Sequence, residues 1–442
     1  MTEELLLYSD ATGDRIRYAA NLVLSDLGGY TYRLTDSRSE FLYFNGPKIN
    51  YSQRRITEDE FHIIPVRLLY ESDIRVQVID VFELKEYPAF FQSPIESNWP
   101  FDIFAAAFYL VSRYEEYLPF QPDEYGRFPH QSSAAFEKGF LHRPVVNEWV
   151  LGLKKKLLIW FPNLWSRENY FRFIPTYDID IAYSYLHKGW QVNFAGALKS
   201  ISKMDFKAVI DRIQVLSGNR KDPFDVYEWL YALHLKYRLK PVYFFLVAAK
   251  RFAYDRNILP TEKAMIDLIL HHAMGYQIGI HPSWQSGDDK ALFQSEKKSL
   301  EEISGIAITK SRQHYIRMTL PETYQQLEAM GIKDEYSMGY GSINGFRASI
   351  SSPFPWYDLS KNKATEMMIH PWCFMDANSL YEQKYIPAQA YEELSYYHQV
   401  IKKVNGQMIT IWHNNFFGTD PAFKGWREVY ELFLNEVVYW DV

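Results

Sequence analysis

Cysteine is almost absent from this chain of 442 residues, which contains one, Cys373. A single cysteine excludes an intramolecular disulfide framework and leaves any metal site to oxygen and nitrogen ligands. The sequence also lacks a basic excess, because its formal net charge is −6 at pH 7. Without a basic surface to meet a phosphate backbone, nucleic-acid binding is not expected.

Long hydrophobic runs are missing as well. No stretch reaches the roughly 18 uninterrupted apolar residues that a membrane-spanning helix needs. The first residues, Met1 to Tyr8, have no basic segment and too short an apolar run for a signal peptide. We therefore expect a soluble, cytoplasmic protein without a membrane span.

Material for hydrophobic cores is abundant, since 47% of the residues are hydrophobic and 17% are aromatic. The chain exceeds the roughly 250 to 300 residues at which one core stops growing, so two domains are expected. The pair Pro162-Asn163 follows an amphipathic helix and marks the boundary. We predict a smaller N-terminal α/β domain of unknown role over residues 1–165 and a second domain over residues 166–442.

The N-terminal part shows strand patterns at 5–8 and 30–34 and helix patterns at 15–27, 102–117 and 147–161. The helix at 102–117 carries Arg113, Glu115 and Glu116, which could mimic an acid/base site. Charges on an exposed helix face are far more common than acid/base sites, so we interpret these three residues as exposed helical charges.

Short apolar strands alternate with helical stretches in the second part, the pattern of parallel βα units. About seven strands at this spacing predict a distorted (β/α)7-type barrel. The segment from Ala182 to Arg220 is an excursion before the second strand, and the segment from Gly339 to Lys363 is rich in Gly, Ser and Pro and lacks a clear helix. The pattern predicts strands at 171–178, 241–247, 277–281, 308–315, 334–340, 366–371 and 407–413, and helices at 222–239, 261–274, 291–303, 321–330, 388–404 and 425–438.

Two carboxylates, Asp178 and Asp180, stand where the first of these strands ends. The carboxyl ends of parallel strands are where α/β folds place their chemistry. Alternation along the strand sends both side chains to the same side, so one can bind a cation while the other handles a proton. A solvated pair at a strand end is the simpler reading of these two residues alone.

Three later strands also end in chemically active side chains. They supply His281, then Arg312 with His314, then His413. A lone histidine at a strand end is more often structural, but four such ends in one barrel indicate a site. Together with Asp178 and Asp180 they make a metal half-site with acid/base groups beside it.

These residues resemble the motifs of the polysaccharide deacetylases, also called carbohydrate esterase family four. The ordered set spans roughly residues 170 to 442 and is more specific than any one motif. The N-terminal part resembles the region that precedes this domain in some bacterial deacetylase-like proteins, through Leu110–Tyr117 and Gly126–Pro129. The four motifs of the barrel are similar to Thr176-Tyr-Asp-Ile-Asp180, Gly275-Tyr-Gln-Ile-Gly-Ile-His281, Arg312-Gln-His-Tyr315 and Ile411-Trp-His413.

The resemblance implies a role for each matching residue. Asp178 would be the general base, Asp180 and His281 metal ligands, Arg312 the partner that orients Asp178, and His413 the general acid. It implies a divalent metal, zinc first with cobalt or nickel as alternatives. The implied activity is hydrolysis of the N-acetyl group of a sugar or polysaccharide precursor, in preference to an O-acetyl group.

One position departs from the family pattern. The second motif usually carries another histidine four residues after the first, and Gln285 stands there. Glutamine is a weak ligand for a zinc-like ion. His314 is the best substitute for the third ligand, with Gln285 or water as the alternatives.

Three further residues are candidate substrate contacts. Arg347 lies in a long loop and can bind an anionic group, although a surface arginine is nearly as common. Trp284 and Trp412 neighbour the proposed site residues and are candidate sugar platforms. Two other functions stay open: a degenerate family member that binds a glycan or partner protein without turnover, and an amide hydrolase for a non-sugar C–N bond.

Overall fold

Two main sheets organise the chain, and the computed structural model describes residues 4–439 of it. A four-stranded parallel sheet lies in the N-terminal part, and a nine-stranded, mostly parallel sheet follows. The predicted fold class, an α/β protein with a barrel-type sheet behind a smaller α/β unit, is confirmed.

The N-terminal sheet has three parallel pairings between its four strands. Its first strand, Leu5–Ser9, is buried along its whole length, which agrees with the three consecutive leucines at its start. The elements of this part are strands β1 (Leu5–Ser9), β2 (Tyr32–Thr35), β3 (Lys48–Tyr51), β4 (Phe61–Ile63), β5 (Phe82–Glu83) and β6 (Pro88–Ala89), and helices α1 (Asp14–Ala20), α2 (Arg38–Tyr43), α3 (Ile103–Val111), α4 (Ala134–Glu137) and α5 (Val145–Trp160).

The larger sheet is built from the second part of the chain. Its helices α8 to α13 fall within a few residues of the predicted ones, whereas α6 and α7 occupy the segment from Ala182 to Arg220 that was interpreted as an excursion before the second strand. The strands are β7 (Arg172–Ile179), β8 (Val242–Leu246), β9 (Gln277–His281), β10 (Lys310–Ser311), β11 (Asp334–Glu335), β12 (Phe354–Asp358), β13 (Lys363–Ile369), β14 (Phe374–Met375) and β15 (Gln407–His413), and the helices are α6 (Trp190–Ser202), α7 (Phe206–Leu216), α8 (Tyr227–Tyr237), α9 (Lys263–Gly275), α10 (Lys290–Ser304), α11 (Glu322–Ala329), α12 (Pro387–Lys403) and α13 (Trp426–Tyr439).

Short helical turns of other kinds connect these elements. The predicted helix 15–27 is α1 followed by a π-helical stretch, and α3 is followed by a 3₁₀ turn. The π-helical stretches are Asn21–Leu27 and Asn378–Glu382, and the 3₁₀ turns are Arg67–Tyr70, Tyr114–Tyr117, His130–Ser132, Gln285–Gly287, His314–Ile316, Asn414–Phe417 and Pro421–Phe423.

The larger sheet closes on itself through one stretch of chain. Its order is β12-β13-β11-β10-β9-β8-β7-β15-β14, and each neighbouring pair is parallel except β12 with β13. Strands β13 and β14 are the two ends of the stretch from Lys363 to Met375, which pairs first with β11 and then with β15. Because β15 also pairs with β7, the ring has seven strand positions, as the predicted barrel requires.

The two predicted domains share one hydrophobic core, whose buried residues run from Leu5 to Val437. Hydrogen bonds also cross between the parts, from the Tyr18 hydroxyl to the Pro355 carbonyl oxygen and from Arg15 Nε to Asn362 Oδ1. The division at residues 165 and 166 stays a prediction. No helix within residues 4–439 is long and apolar enough to cross a membrane.

The charges predicted on an exposed helix face are buried, which corrects that interpretation. Helix α3 ends at Val111, and Arg113 takes a left-handed conformation with φ of 54°. Its guanidinium binds Glu116 through Nε at 2.7 Å and Glu115 through Nη2 at 2.8 Å. Spacing along a helix does not show what covers it, and here the barrel covers this turn.

Glu116 joins the two parts of the chain because Arg347 also binds it. The Arg347 Nε lies 2.8 Å from Glu116 Oε1, and its Nη2 lies 2.5 Å from Oε2. Burial alone would raise the pKa of Glu116, but the guanidinium groups of Arg347 and Arg113 outweigh it and lower the pKa below its ordinary value. Removing this carboxylate would leave two buried cations without their shared partner.

We predict that Glu116→Gln lowers the free energy of unfolding by about 3 kcal/mol or more, because breaking a buried ion pair leaves an uncompensated charge. Glu302→Gln is the matched control, since Glu302 forms an exposed pair with Lys298 at 3.5 Å. It should change stability by less than about 0.5 kcal/mol. Chemical denaturation of both variants measures the difference, and equal effects would contradict the assigned role of Glu116.

Candidate metal centre

The carboxyl ends of four neighbouring segments meet at one edge of the barrel. Asp178 pairs in register with His413 across β7 and β15, and His281 pairs with Leu246 across β9 and β8. Strand β9 can pack closely against Phe244 and Lys310 of its two neighbouring strands because it contains Gly279. A Cβ atom there would stand 2.6 Å from the Phe244 ring and 2.9 Å from the Lys310 carbonyl oxygen.

Three side chains at this edge form a group that could hold a metal ion. The ligand atoms of Asp180, His281 and His314 all lie within 4.8 Å of one another. Asp180 Oδ1 is 3.2 Å from His281 Nε2, and Asp180 Oδ2 is 3.5 Å from His314 Nε2. Both histidines are buried.

Each histidine of this group is oriented through its other ring nitrogen. The Nδ1 of His281 lies 2.6 Å from the carbonyl oxygen of Arg312. A carbonyl oxygen only accepts, so Nδ1 carries a proton and Nε2 is the ring nitrogen that faces Asp180. The Nδ1 of His314 lies 3.1 Å from Asp255 Oδ1, which also accepts from the Trp284 backbone N–H at 3.0 Å. Such outer partners fix ring orientation at metal sites.

The donor set fits a divalent metal. Asp180 Oδ1 is buried, forms no hydrogen bond and lies 3.2 Å from His281 Nε2. A proton or a cation held between these two atoms would be bound by both. Two imidazoles and one carboxylate, with no thiolate, are ligands that zinc, cobalt and nickel accept.

Gln285 lies outside this group. It is exposed and begins the 3₁₀ turn Gln285–Gly287. His314 reaches the group from another turn, in which Tyr315 and Ile316 both have positive φ angles, 57° and 53°. A β-branched residue rarely adopts this region, so the surrounding fold imposes the turn. Because of this turn, the strand predicted at 308–315 ends early, after Ser311.

Asp178 lies beside the group and is bound by Arg312. Arg312 Nη1 donates to Asp178 Oδ1 at 2.7 Å and to Thr176 Oγ1 at 2.8 Å. The guanidinium carbon of Arg312 also lies 4.4 Å from the centre of the Phe244 ring. Asp178 Oδ2 is left facing the site, 3.8 Å from His281 Nε2.

His413 is paired with Asp376, a residue that the sequence analysis missed. His413 Nδ1 lies 2.6 Å from Asp376 Oδ1, and the backbone N–H of His413 donates to Oδ2 at 2.7 Å. Burial alone would lower the pKa of His413, but the carboxylates of Asp376, Asp180 and Asp178 outweigh it and raise the pKa to about 10. The Nε2 of His413 faces Asp180 Oδ2 at 3.5 Å.

A pocket of about 390 Å³ opens above these residues. The N-terminal part of the chain contributes Tyr125 and Arg127 to it, and Arg127 Nη1 donates to the Tyr315 carbonyl oxygen at 2.7 Å. Arg127 belongs to the segment Gly126–Pro129 noted in the sequence, but no sequence pattern indicates that Tyr125 or Arg127 reaches this pocket. Other residues of the wall include Asp178, Asp180, Tyr254, Arg256, His281, His314, Tyr315, Asn378, Tyr381, Glu382, His413 and Asn415.

The predicted substrate contacts are corrected by their placement. Arg347 is 1% exposed and is held by Glu116, and Trp412 is fully buried, so neither lines the pocket. Trp284 is not in the pocket wall but stacks behind Tyr254, with ring centres 4.2 Å apart. The aromatic surface of the pocket is therefore formed by four tyrosines and Phe416.

Comparisons with known proteins give a distant likeness. Residues 5–162 match the model of a family of unknown function (DUF7033), which is less than half of the chain. No curated protein matches the chain.

Among solved structures, a protein from Mycobacterium smegmatis assigned as a polysaccharide deacetylase is 14% identical, with a TM-score of 0.40, over 63% of this chain and 87% of that one. A polysaccharide deacetylase from Bacillus cereus is 12% identical, with a TM-score of 0.30, over 61% and 88%. A 4-alpha-glucanotransferase from Thermococcus litoralis is 13% identical, with a TM-score of 0.35, over 62% of this chain, and the match spans 37% of that enzyme.

We predict that His314→Ala abolishes stoichiometric metal binding, because it removes one of three ligand atoms. Gln285→Ala is the matched control and should retain the metal, since its side chain is outside the group. Elemental analysis after equal exposure to zinc, cobalt and nickel compares the two with the wild type. Loss of metal in the Gln285 variant, or retention in the His314 variant, would contradict this ligand set.

Metal affinity should depend on pH. Burial alone would lower the pKa of His314, but Asp180 and Asp255 outweigh it and raise the pKa to about 9 in the metal-free protein. At neutral pH the metal must therefore displace a proton, so its apparent affinity should fall about tenfold for each pH unit below about 9. Asp255→Asn removes one carboxylate that raises the pKa of His314, so the pH below which metal affinity begins to fall should be lower in this variant. Titration calorimetry across pH measures the metal affinity of the wild type and of the variant. A wild-type affinity that does not change with pH would contradict the competition between metal and proton.

Proposed function

We propose that this protein is a metal-dependent hydrolase of C–N bonds other than peptide bonds, acting as a deacetylase on the N-acetyl group of a sugar. One observation carries the proposal: a carboxylate and a histidine reach the same metal-binding group from two neighbouring strands. Asp178 Oδ2 lies 3.8 Å from His281 Nε2, and His413 Nε2 lies 3.5 Å from Asp180 Oδ2. Each has its own buried partner, Arg312 for Asp178 and Asp376 for His413.

The residues of the candidate metal centre can perform separate steps of amide hydrolysis. Asp178 accepts the proton of the attacking water at Oδ2, because Oδ1 is engaged by Arg312. A divalent metal held by Asp180, His281 and His314 would act as a Lewis acid toward the acyl group and the water. As the carbonyl carbon gains the water oxygen and the C–N bond breaks, His413 donates a proton from Nε2 to the departing amine. The products are acetate and an amino sugar.

The protonation state of His413 suits a general acid. Asp376 accepts from Nδ1 and leaves Nε2 directed at the pocket. In the metal-free protein the surrounding carboxylates, Asp376 first, raise the pKa of His413 to about 10, so the imidazole holds both ring protons at neutral pH. A histidine without these partners would have lost most of that proton, since its ordinary pKa is about 6.5.

The wall of the pocket supports a sugar as the substrate. Tyr125, Tyr254 and Tyr315 contribute aromatic faces, and the Tyr125 and Tyr315 rings stack with centres 5.7 Å apart. Asn378 and Asn415 add amide groups that can bind hydroxyls. The volume of about 390 Å³ is at the small end of ligand pockets, which suits one or two sugar units. A cytoplasmic precursor of a surface polysaccharide is the proposed source.

We predict that the zinc-loaded protein releases acetate from N-acetylated sugars and that removing the metal abolishes the release. Asp178→Asn and His413→Ala should each lower kcat by about 100-fold or more while retaining the metal, since removing a general base or acid costs 10² to 10⁴. The matched controls Asp288→Asn and His271→Ala change exposed residues of the same types.

Each contrary result has a distinct meaning. Acetate release that survives metal removal would contradict the metal-dependent mechanism. Release from non-sugar acetamides alone would favour the amide hydrolase. Metal binding without turnover of either class, together with saturable binding of a glycan, would favour the degenerate binding protein.

A further inference from the structure

Helices α6 and α7 form a hairpin that exposes an unusual amount of apolar surface. Trp190, at its start, is 75% exposed, and Met204, in the turn between the helices, is 80% exposed. Within these helices only Asn193 and Val215 are buried. The large exposed hydrophobic side chains of the hairpin are Trp190, Val192, Phe194, Leu198, Ile201, Met204, Phe206, Ile210, Ile213 and Leu216.

The apolar residues follow the helical period. Trp190, Phe194, Leu198 and Ile201 are spaced by four, four and three residues, which places them on one face of α6. On α7, the exposed residues Phe206, Ile210 and Ile213 are spaced by four and three residues. Each helix thus carries an apolar stripe that the rest of the protein does not cover. Scattered exposed apolar residues need no explanation, but contiguous stripes indicate an interaction surface.

The charge of the hairpin is opposite to that of the whole chain. Residues 188–220 contain six lysines and arginines and two aspartates, although the chain has a formal net charge of −6. The exposed lysines Lys199, Lys203 and Lys207 lie around the turn, next to Met204 and Phe206. An apolar tip surrounded by lysines is complementary to a surface that is both apolar and anionic.

The base of the hairpin lies beside the pocket. Asp222 accepts the backbone N–H groups of Ser184 and Tyr185, and Arg251 Nη1 donates to the Lys188 carbonyl oxygen at 2.7 Å. Arg251 belongs to the loop after β8, the same loop that contributes Tyr254 and Arg256 to the pocket wall. The hairpin therefore leaves the barrel on the side where the pocket opens.

We propose that this hairpin docks on an anionic phospholipid membrane, with its apolar side chains among the acyl chains and its lysines at the headgroups. Tryptophan, phenylalanine and lysine in one amphipathic segment are typical of helices that lie in the membrane interface. Lysines also bind the negative surface of an anionic leaflet. A second copy of this chain is a poorer occupant, because pairing two hairpins would bring their lysines together.

Docking of this kind holds the pocket next to the lipid surface. The attachment is peripheral, since no helix within residues 4–439 could cross the bilayer. It is independent of the proposed deacetylase activity, because vesicle binding needs neither the metal nor turnover.

The test is sedimentation of the full-length protein with vesicles of phosphatidylcholine alone or with phosphatidylglycerol. We expect binding to the mixed vesicles and at least about tenfold weaker partitioning to the neutral ones. The triple variant Phe206→Ser, Ile210→Ser, Ile213→Ser and the triple variant Lys199→Glu, Lys203→Glu, Lys207→Glu should each weaken binding to mixed vesicles at least about tenfold.

The matched control changes three other exposed apolar residues, Val76→Ser, Val78→Ser and Ile95→Ser, and should bind as the wild type does. Circular dichroism checks that each variant is folded. Absence of vesicle binding by the wild type, or equal binding by all variants, would overturn the proposal. So would a wild-type dimer that the apolar variant converts to a monomer while no variant binds lipid, because the stripe would then be a self-association surface.

Discussion

The carboxylate of Asp180 is the constraint on which the barrel mouth depends. The imidazoles of His281, His314 and His413 surround it, the Asp178 carboxylate lies beside His281, and one of its oxygens forms no hydrogen bond. Burial alone would raise the pKa of Asp180, yet His314 and His281 outweigh burial and hold the pKa well below its ordinary value. Burying a charged oxygen is costly, and a cation bound by this carboxylate would offset the cost. The neighbouring polar groups are arranged to keep that position available.

Buried ionic partners hold the site from outside. Arg312 fixes Asp178, Asp376 fixes His413, and Asp255 fixes His314, so each reactive group has a partner that takes no direct part in the chemistry. The N-terminal part of the chain contributes as well, since Tyr125 and Arg127 line the pocket. The smaller unit is therefore part of the site and not an appendage to it.

Much of the barrel and of the candidate site could be predicted from the sequence because parallel strands obey simple rules. Their apolar runs are continuous, and their carboxyl ends meet at one edge. The sequence therefore predicts that Asp178, Asp180, His281 and His413 lie close together. Alternation also explains a failure, since Trp412 precedes His413 and must point to the opposite side of the strand, into the core.

The residues that the sequence did not reveal lie where no periodicity operates. Asp376 follows a strand of two residues, and Asp255 lies in a loop, so neither is preceded by a run long enough to recognise. Arg113 and Glu116 have the spacing of an exposed helical pair, but the barrel covers them, and only the tertiary structure shows that. Helices α6 and α7 are a different case, because their apolar residues do repeat at helical spacing but the segment was interpreted as an excursion between two strands.

Anomalous diffraction from zinc-soaked crystals, recorded on both sides of the zinc absorption edge, tests the central claim most directly. The account predicts one strong anomalous peak bonded to Asp180, His281 Nε2 and His314 Nε2, with Gln285 remote from it. A peak with a different protein ligand set, or no peak in the barrel at full zinc exposure, would contradict the metal centre.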